Sequence, residues 1–500
     1  MKIEKCHYEN SLVDVSELAP ETNILDELGA HAIEVRNLCY LVNKGTPTAT
    51  TGLTLRNTLF NPSSSLEQIV AKQDALREIR SNETLRQKIE HFLYNVSGVE
   101  RRAPAFRYSL DTESYESFRE LISAISEFNL TIEEPKTRYL RSLKQDLARL
   151  SNGKVRRLIR NEKRFKRVVN YLAAGLFCVP LGASIALGQP TPAVLGTLGA
   201  LGLHYTGDFV DHKKYLSPMS DLMENDADIR NAFKAIGRLG ELAAFDNFGR
   251  RLKHSTLPKL TDGDRHYFRA KNLINAGQSD ENPNYVPNDI DIGDGQRLTF
   301  FTGPNSGGKS SLCKAIAQAQ VLAQAGGYVP ADSAEIGLCD KLFYQTGVND
   351  CLSDNEGGLG TQLKIAKEVL FSSTPKSLVV IDDLIDGTTF REKTEQTRNQ
   401  LYGFLHKRAD TIFVTHHHEL AQEFAGKNVG QYLQTGFNCK KPTYNIIPGI
   451  STDSHADAVA ERVGVNAERI REHLISKGYL LPNIELRDIS GHVRQENDKQ

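Results

Sequence analysis

Gly303, Gly308, Lys309 and Ser310 fit the spacing G-x-x-x-x-G-K-[ST] inside LTFFTGPNSGGKSS, residues 298–311. The candidate phosphate-binding segment runs Gly303, Pro304, Asn305, Ser306, Gly307, Gly308, Lys309, Ser310 and Ser311. In such a loop, glycines let backbone N–H groups curl around a β-phosphate. Lysine reaches the β and γ oxygens, and the serine hydroxyl ligates Mg²⁺. A helix that starts at the end of the loop turns its positive end toward the same charge. The competing reading is a glycine-rich turn without a ligand. It is opposed by the apolar, β-prone run 298–302 before the loop and the helix-compatible run 309–324 after it.

Two further stretches carry chemistry. SLVVIDDLIDGTT (377–389) holds an all-apolar, β-branched run, 378–381, of the kind buried on both faces of a sheet. It ends in Asp382-Asp383. One carboxylate at such a tip can hold the Mg²⁺ shell, making Ser310 and Asp382 the candidate metal residues, and the next can orient an attacking water. TIFVTHHHEL (411–420) is a second buried-type strand, running into three histidines. Neighbouring side chains on a strand point to opposite faces, so the three cannot converge on one ion. A single histidine near the γ-phosphate is the reading preferred over a metal centre.

The rest of the 500 residues must position these pieces. That length suggests two to four domains. The net charge of −1 gives no global field toward nucleic acid or membrane, so such a contact needs a local patch. Seven scattered cysteines without paired metal spacing indicate a reduced compartment. The polar, acidic start MKIEKCHYENSLVDVSEL shows no cleavable signal.

Residues 1–50 form an N-terminal segment with helical spacing over 24–40. Amphipathic helices are expected across 51–167, one of them capped by Ser64 with Glu67 at the capping-box position. KVRRLIRNEKRFKR (154–167) is densely basic, and 168–207 contains no Asp, Glu, Lys or Arg. As a helix, 168–188 would reach about 32 Å, enough for a ~30 Å hydrocarbon core, and 191–207 only about 26 Å. With Lys213 and Lys214 beyond it, this apolar run is expected to be a membrane hairpin with both ends cytoplasmic. That places the protein on the cytoplasmic face of the inner or plasma membrane, with the cytoplasm as the alternative. A buried helical hairpin is the competing structure. The basic run has three readings: a solvated face, DNA phosphates or anionic headgroups. Helical patterning resumes over 208–265, and from 266 to 450 strands alternate with helices as in an α/β nucleotide-binding sheet.

GPNSGGKSS, GGYVPADSAEIGLCDKLF (326–343), SLVVIDDLIDGTT and FVTHHHEL resemble, in this order, the ATPase domain of the MutS mismatch-repair family. VPNDI (286–290) is similar to the segment that family places beside adenine. ISTDSHADAVAERVGV (450–465) resembles its dimerising helical tail, in a C-terminal segment, 451–486, ahead of a polar tail, 487–500. LRNTLFNPSSSLEQIVAKQDAL and ELAAF (241–245) resemble the two ends of its helical lever. The resemblance implies a helical lever followed by an ABC-like P-loop ATPase domain, an α/β sheet flanked by helices. It implies ATP and Mg²⁺ as cofactors, slow ATP hydrolysis, and a homodimer with composite sites. Asp382 would match the Walker B aspartate and His416 the switch histidine, with Asp383 and His416 as catalytic residues. Val286, Pro287, Asn288 and Ile290 would lie near the base, and Gly358 and Thr361 would belong to a signature loop reaching across the dimer.

Three departures from the family pattern matter. Asp383 stands where the family has Glu, and Gly360 stands at the signature serine position. The apolar run 168–207 occupies the place of the DNA clamp, and no match to the mismatch-reading domains precedes the lever. Direct mismatch recognition is therefore not expected. DNA is carried forward as a candidate partner, with a soluble DNA-binding repair ATPase as one alternative function and a nucleotide-gated interaction protein of negligible turnover as another.

Overall fold

The computed structural model describes residues 24–102, 112–187, 197, 200–201, 219, 222, 226–282, 284–293, 295–304, 307–346, 357–382, 390–415, 418–438, 441–451, 463–481 and 485–486. The side chains of 175–187 are not described. The architecture is mixed: a helical region, then an α/β region built on two sheets.

The helical region comprises α1 (Glu27–Ala32), α2 (Val35–Asn43), α3 (Ala49–Phe60), α4 (Leu66–Ser81), α5 (Glu83–Arg102), α6 (Thr112–Thr131), α7 (Arg138–Asn152), α8 (Lys154–Leu187) and α9 (Ala227–Arg251). Residues 24–43 are not one helix. Glu34 takes a left-handed conformation, φ 60°, and separates α1 from α2. The N-cap of α4 is Ser65, one residue later than expected, because its hydroxyl is the one that meets the Gln68 amide. The central helix is α9, which packs on α2, α3, α4, α5 and α7. It can do so because Gly237 and Gly240 leave room for α3. A Cβ at Gly240 would stand 1.7 Å from Thr51 Oγ1, and one at Gly237 2.2 Å from Thr54 Oγ1. The start of α3 is closed from α5: the buried Glu100 carboxylate accepts the Ala49 amide at 2.8 Å and the Thr50 amide at 3.2 Å. Burial holds that carboxyl above its ordinary value, opposed by the Thr50 hydroxyl and the two amides.

The α/β region contains β1 (Lys259–Thr261), β2 (Phe268–Leu273), α10 (Ala276–Glu281), β3 (Asn288–Ile292), β4 (Leu298–Thr302), α11 (Lys309–Gln324), β5 (Ser333–Gly337), β6 (Leu342–Thr346), α12 (Gly357–Ser372), β7 (Leu378–Asp382), α13 (Phe390–Lys407), β8 (Asp410–Thr415), α14 (His418–Gly426), β9 (Gln431–Asn438), β10 (Lys441–Pro448) and α15 (Ala467–Ser476). A six-stranded sheet has the order β10-β9-β4-β8-β7-β6, parallel except for the β9–β10 hairpin. A smaller sheet has the order β1-β5-β2-β3. The larger sheet is buried on both faces, as its continuous apolar strands require. Leu298, Phe300, Val379, Ile381 and Phe413 face a cluster with Phe404 and Phe424. Phe301, Val380, Ile412 and Val414 face the core that runs on into the helices.

The expected membrane location is corrected. Among the described residues, no helix is long and apolar enough to cross a membrane. The apolar stretch does not start a helix of its own. It continues α8, a 34-residue helix whose first fourteen residues carry eight Lys or Arg. Val155 and Ile159 of that basic part are buried, and α8 packs on α7. Of the expected second arm, only 197, 200 and 201 lie among the described residues.

The α3–α9 crossing makes a stability prediction. Gly240→Ala should cost about 1–3 kcal/mol by overpacking. Gly98→Ala, at a helical position with nothing within 4 Å of the new methyl, should cost nothing or stabilise slightly. Urea unfolding of the two variants checks the contrast, and equal stabilities would contradict the close approach.

Candidate functional site

Three parallel strands end side by side. In register, Thr302 of β4 lies opposite Thr415 of β8, and Val414 of β8 lies opposite Asp382 of β7. The phosphate-loop candidate leaves β4, and the acidic pair leaves β7. Strand β8 lies between them, so their separation is two strand spacings, about 10 Å. A side chain from each loop can then close on one small ligand.

The loop leaves β4 at Gly303, φ 129°, and enters α11 at Gly308, φ 86°, a conformation that disfavours a side chain at either place. Lys309 is 4% exposed. Its Nζ curls back to donate to Gly303 O at 2.8 Å and Pro304 O at 2.6 Å. Ser310 Oγ donates to Asp382 Oδ1 at 3.1 Å. A hydroxyl and a carboxylate are hard oxygen donors of the kind Mg²⁺ takes. Among the described residues there is no His/Cys/Asp/Glu cluster of the kind that holds a metal by itself. The corner fits an ion that takes hard oxygen ligands.

Several side chains at the site are not visible in the motifs. Thr435 of β9 donates from Oγ1 to Gly307 O at 3.1 Å, and a Cβ on Gly307 would stand 2.6 Å from that same oxygen. Tyr444, left-handed at φ 61°, lies over the loop, 3.4 Å from where a Gly308 Cβ would be. Tyr285 OH is 3.3 Å from Ser311 Oγ, which also bonds Gln278 Oε1. Tyr344 of β6 brings its hydroxyl to 3.4 Å from Asp382 Oδ2 and 3.5 Å from Ser310 O. Burial, reinforced by the neighbouring Cys313 and Asp382, pushes its phenol well above the ordinary value. The Cys313 thiol below it is likewise raised by burial and Asp382, with Lys309 opposing. Tyr285 adjoins the VPNDI segment and could have been read from sequence. Thr435 and Tyr444 come from strands without a motif, and Tyr344 stands one residue beyond the end of GGYVPADSAEIGLCDKLF.

The other expected residues fall as follows. Val286 and Pro287 are half-buried. Asn288 is tied to β10: its Nδ2 donates to Tyr444 O at 3.0 Å, and its Oδ1 accepts the Ile446 amide at 2.7 Å. Ile290 is buried in the core. Gly358 and Thr361 lie at the start of α12. Asn305, Ser306, Asp383 and His416 lie outside the described residues.

Comparison with known proteins follows this geometry. Residues 299–473 match the family model described as MutS domain V. The chain is 29% identical over 305 residues to the DNA mismatch repair protein MutS of Chlorobaculum tepidum, covering 57% of this chain and 33% of that one. It is 31% identical over 254 residues to the DNA mismatch repair protein MutS of Chlorobium chlorochromatii, covering 49% and 28%. It is 31% identical over 225 residues to the DNA mismatch repair protein msh3 of Aspergillus oryzae, covering 43% and 20%. The chain thus spans at most about a third of the length of these relatives.

The Thr435 contact makes a prediction for ligand binding. Gly307→Ala should force the loop off Thr435 and weaken triphosphate affinity by about tenfold, the equivalent of ~1.4 kcal/mol. Thr435→Ala in the same chain should restore part of the loss. Titration calorimetry with a non-hydrolysable ATP analogue reads both, and an undisturbed Gly307→Ala affinity would contradict the arrangement.

Proposed function

We propose that this chain, which belongs to the MutS family, binds Mg-ATP at the phosphate loop, hydrolyses it slowly and works as a dimer. The observation that carries this reading is the Ser310–Asp382 hydrogen bond. It joins two motifs 72 positions apart into one oxygen-lined corner beside a buried lysine. Lys309 is poised to exchange the Gly303 and Pro304 carbonyls for β- and γ-phosphate oxygens. Ser310 and Asp382 would hold magnesium, which when bound neutralises charge on the transferring phosphoryl group. Tyr285 and Tyr444 flank the loop where a base would lie. Asp383 would orient the attacking water and His416 would sense the γ-phosphate. The Asp383 side chain is one methylene shorter than the Glu usual in the family, a pull-back of about 1.5 Å that can cost ~100-fold in rate.

A shared site is supported by the C-terminal part of the chain. None of the residues of α15 is buried, and Val463, Val465, Ile470, Tyr479 and Leu481 are exposed around it. That apolar surface suits a second copy. Gly358 and Thr361 would then reach the partner's γ-phosphate, with no hydroxyl at Gly360 to assist them.

DNA contact is the second reading, and one feature favours it. On α8, Arg156, Arg157, Arg160, Lys163, Arg164 and Arg167 fall within a sector of about 120° at 3.6 residues per turn, over about 16 Å. All six are exposed. The one acid of this stretch, Glu162, is buried and pairs with Lys166. Among the described residues, no ion pair engages Arg157, Arg160, Lys163, Arg164 or Arg167. Tyr171, also exposed, continues the same sector. Such an arginine-rich row suits phosphates along a nucleic-acid backbone without reading sequence.

Two measurements test these readings. ATP should drive dimerisation in sedimentation and be turned over slowly. Lys309→Ala should lose both responses, and Asp383→Glu should turn over faster than the parent. Undiminished turnover in Lys309→Ala would overturn the site assignment. For DNA, the double variant Arg160→Gln, Arg164→Gln should flatten the log–log salt dependence of duplex binding by about 2. An unchanged slope would remove α8 from the contact.

A further inference from the structure

We infer that Tyr344 is a positioning residue: its phenol fixes the rotation of the Asp382 carboxylate and so sets the affinity of the site for magnesium. The inference rests on the reading of Ser310 and Asp382 as the metal corner. Strands β6 and β7 are parallel, with Tyr344 opposite Val380 and Thr346 opposite Asp382. Tyr344 and Asp382 therefore lie on the same face of the sheet, one pleat repeat apart along the strands. An aromatic side chain is long enough to span that step. The Tyr344 hydroxyl is 3.4 Å from Asp382 Oδ2 and 3.5 Å from Ser310 O. A phenol has one proton for these two acceptors, and the charged oxygen is the stronger.

The two carboxylate oxygens are thereby given different work. Oδ1 accepts the Ser310 hydroxyl at 3.1 Å, and Oδ2 lies 3.4 Å from the phenol, which also stands 3.5 Å from Ser310 O. The tyrosine itself cannot yield easily. It is 4% exposed, and α1 covers it, with a Gly29 Cβ position 3.7 Å from its amide nitrogen. Leu342, two residues earlier, donates its amide to Ile24 O at 2.8 Å, so the N-terminal segment closes the edge of β6 directly below the ring. A partner of this kind around a metal ligand typically changes metal affinity 10–100-fold when removed.

The test compares the full-length parent with Tyr344→Phe, which keeps the ring and removes only the hydroxyl. A fluorescent ATP analogue is bound in EDTA and then across a magnesium titration. The expected result is a half-saturating magnesium concentration raised about tenfold or more, with affinity in EDTA and the nucleotide-free melting temperature unchanged. In an Asp382→Asn background the Phe substitution should have no further effect on the magnesium dependence. A half-saturating concentration within about twofold of the parent overturns the inference, and a lowered melting temperature alongside it would assign Tyr344 to packing alone. A parent whose binding ignores magnesium would overturn the metal corner itself, and this inference with it.

Discussion

Everything near the site depends on burying α11 along its whole length without leaving its polar groups unpaired. A helix that starts at a candidate phosphate loop must hold its first turn still if it is to meet a ligand there. This one is packed from several sides, with Lys309, Gln318, Gln320 and Gln324 all buried. An unpaired buried amide costs as much as several good contacts contribute. Each glutamine is accordingly spent on a different neighbour. Gln318 Nε2 donates to Ile33 O in the N-terminal segment. Gln320 Oε1 faces His266, whose other ring nitrogen meets Asp410 at the start of β8. Gln324 Nε2 donates to Ser63 O and Cys339 O, and the Gln324 carbonyl accepts the Ser63 amide. The helix is thus bonded to the N-terminal segment, both sheets and the linker between α3 and α4.

These bonds connect the site to the helical region. The end of α11 is gripped by α4: Lys72 donates to Ala325 O at 3.4 Å and pairs with Glu241 of α9 at 3.1 Å. Nearby, Arg80 of α4 pairs with buried Asp246 of α9 and stacks over Tyr328, 4.3 Å from its ring centre. Buried pairs of this kind stabilise little against apolar substitutes, yet removing one partner is costly. They fix register between elements that must move together or not at all. A displacement of α11 would be felt by α4 and α9, since Lys72 of α4 bonds the Ala325 carbonyl that ends α11, Glu241 of α9 pairs with that lysine, and all three helices share one core.

What could be read from sequence divides along the same line. The glycine turn between β4 and α11, the strand ending in Asp382 and the alternation of strands and helices were legible because each is a local pattern. Glycines at positive φ, a β-branched run and a capping residue act within a few positions of themselves. The Ser310–Asp382 corner was legible as a pairing of two motifs, but not the hydrogen bond that joins them. The partners of α11 were not legible, because Gln318, Gln320 and Gln324 find theirs in segments distant in sequence. Thr435, Tyr344 and Tyr444 were invisible for a related reason. Their importance lies in which strand lies next to β4, β7 or β9, and strand order is not written in any one strand.

The apolar stretch shows the opposite failure, in which a local pattern was too persuasive. Composition changes abruptly at Val168, from a run rich in arginine to one without charge. A composition window places a boundary there. Helix formation does not, because the residues on either side are compatible with the same backbone hydrogen-bond ladder and nothing at 167 or 168 breaks it. The element that results, α8, is organised by angle instead of by segment. Val155 and Ile159 turn toward the helical body, while the arginines turn away from it. The cations are left pointing outward on a helix held from behind, an arrangement suited to a polyanion that approaches from outside.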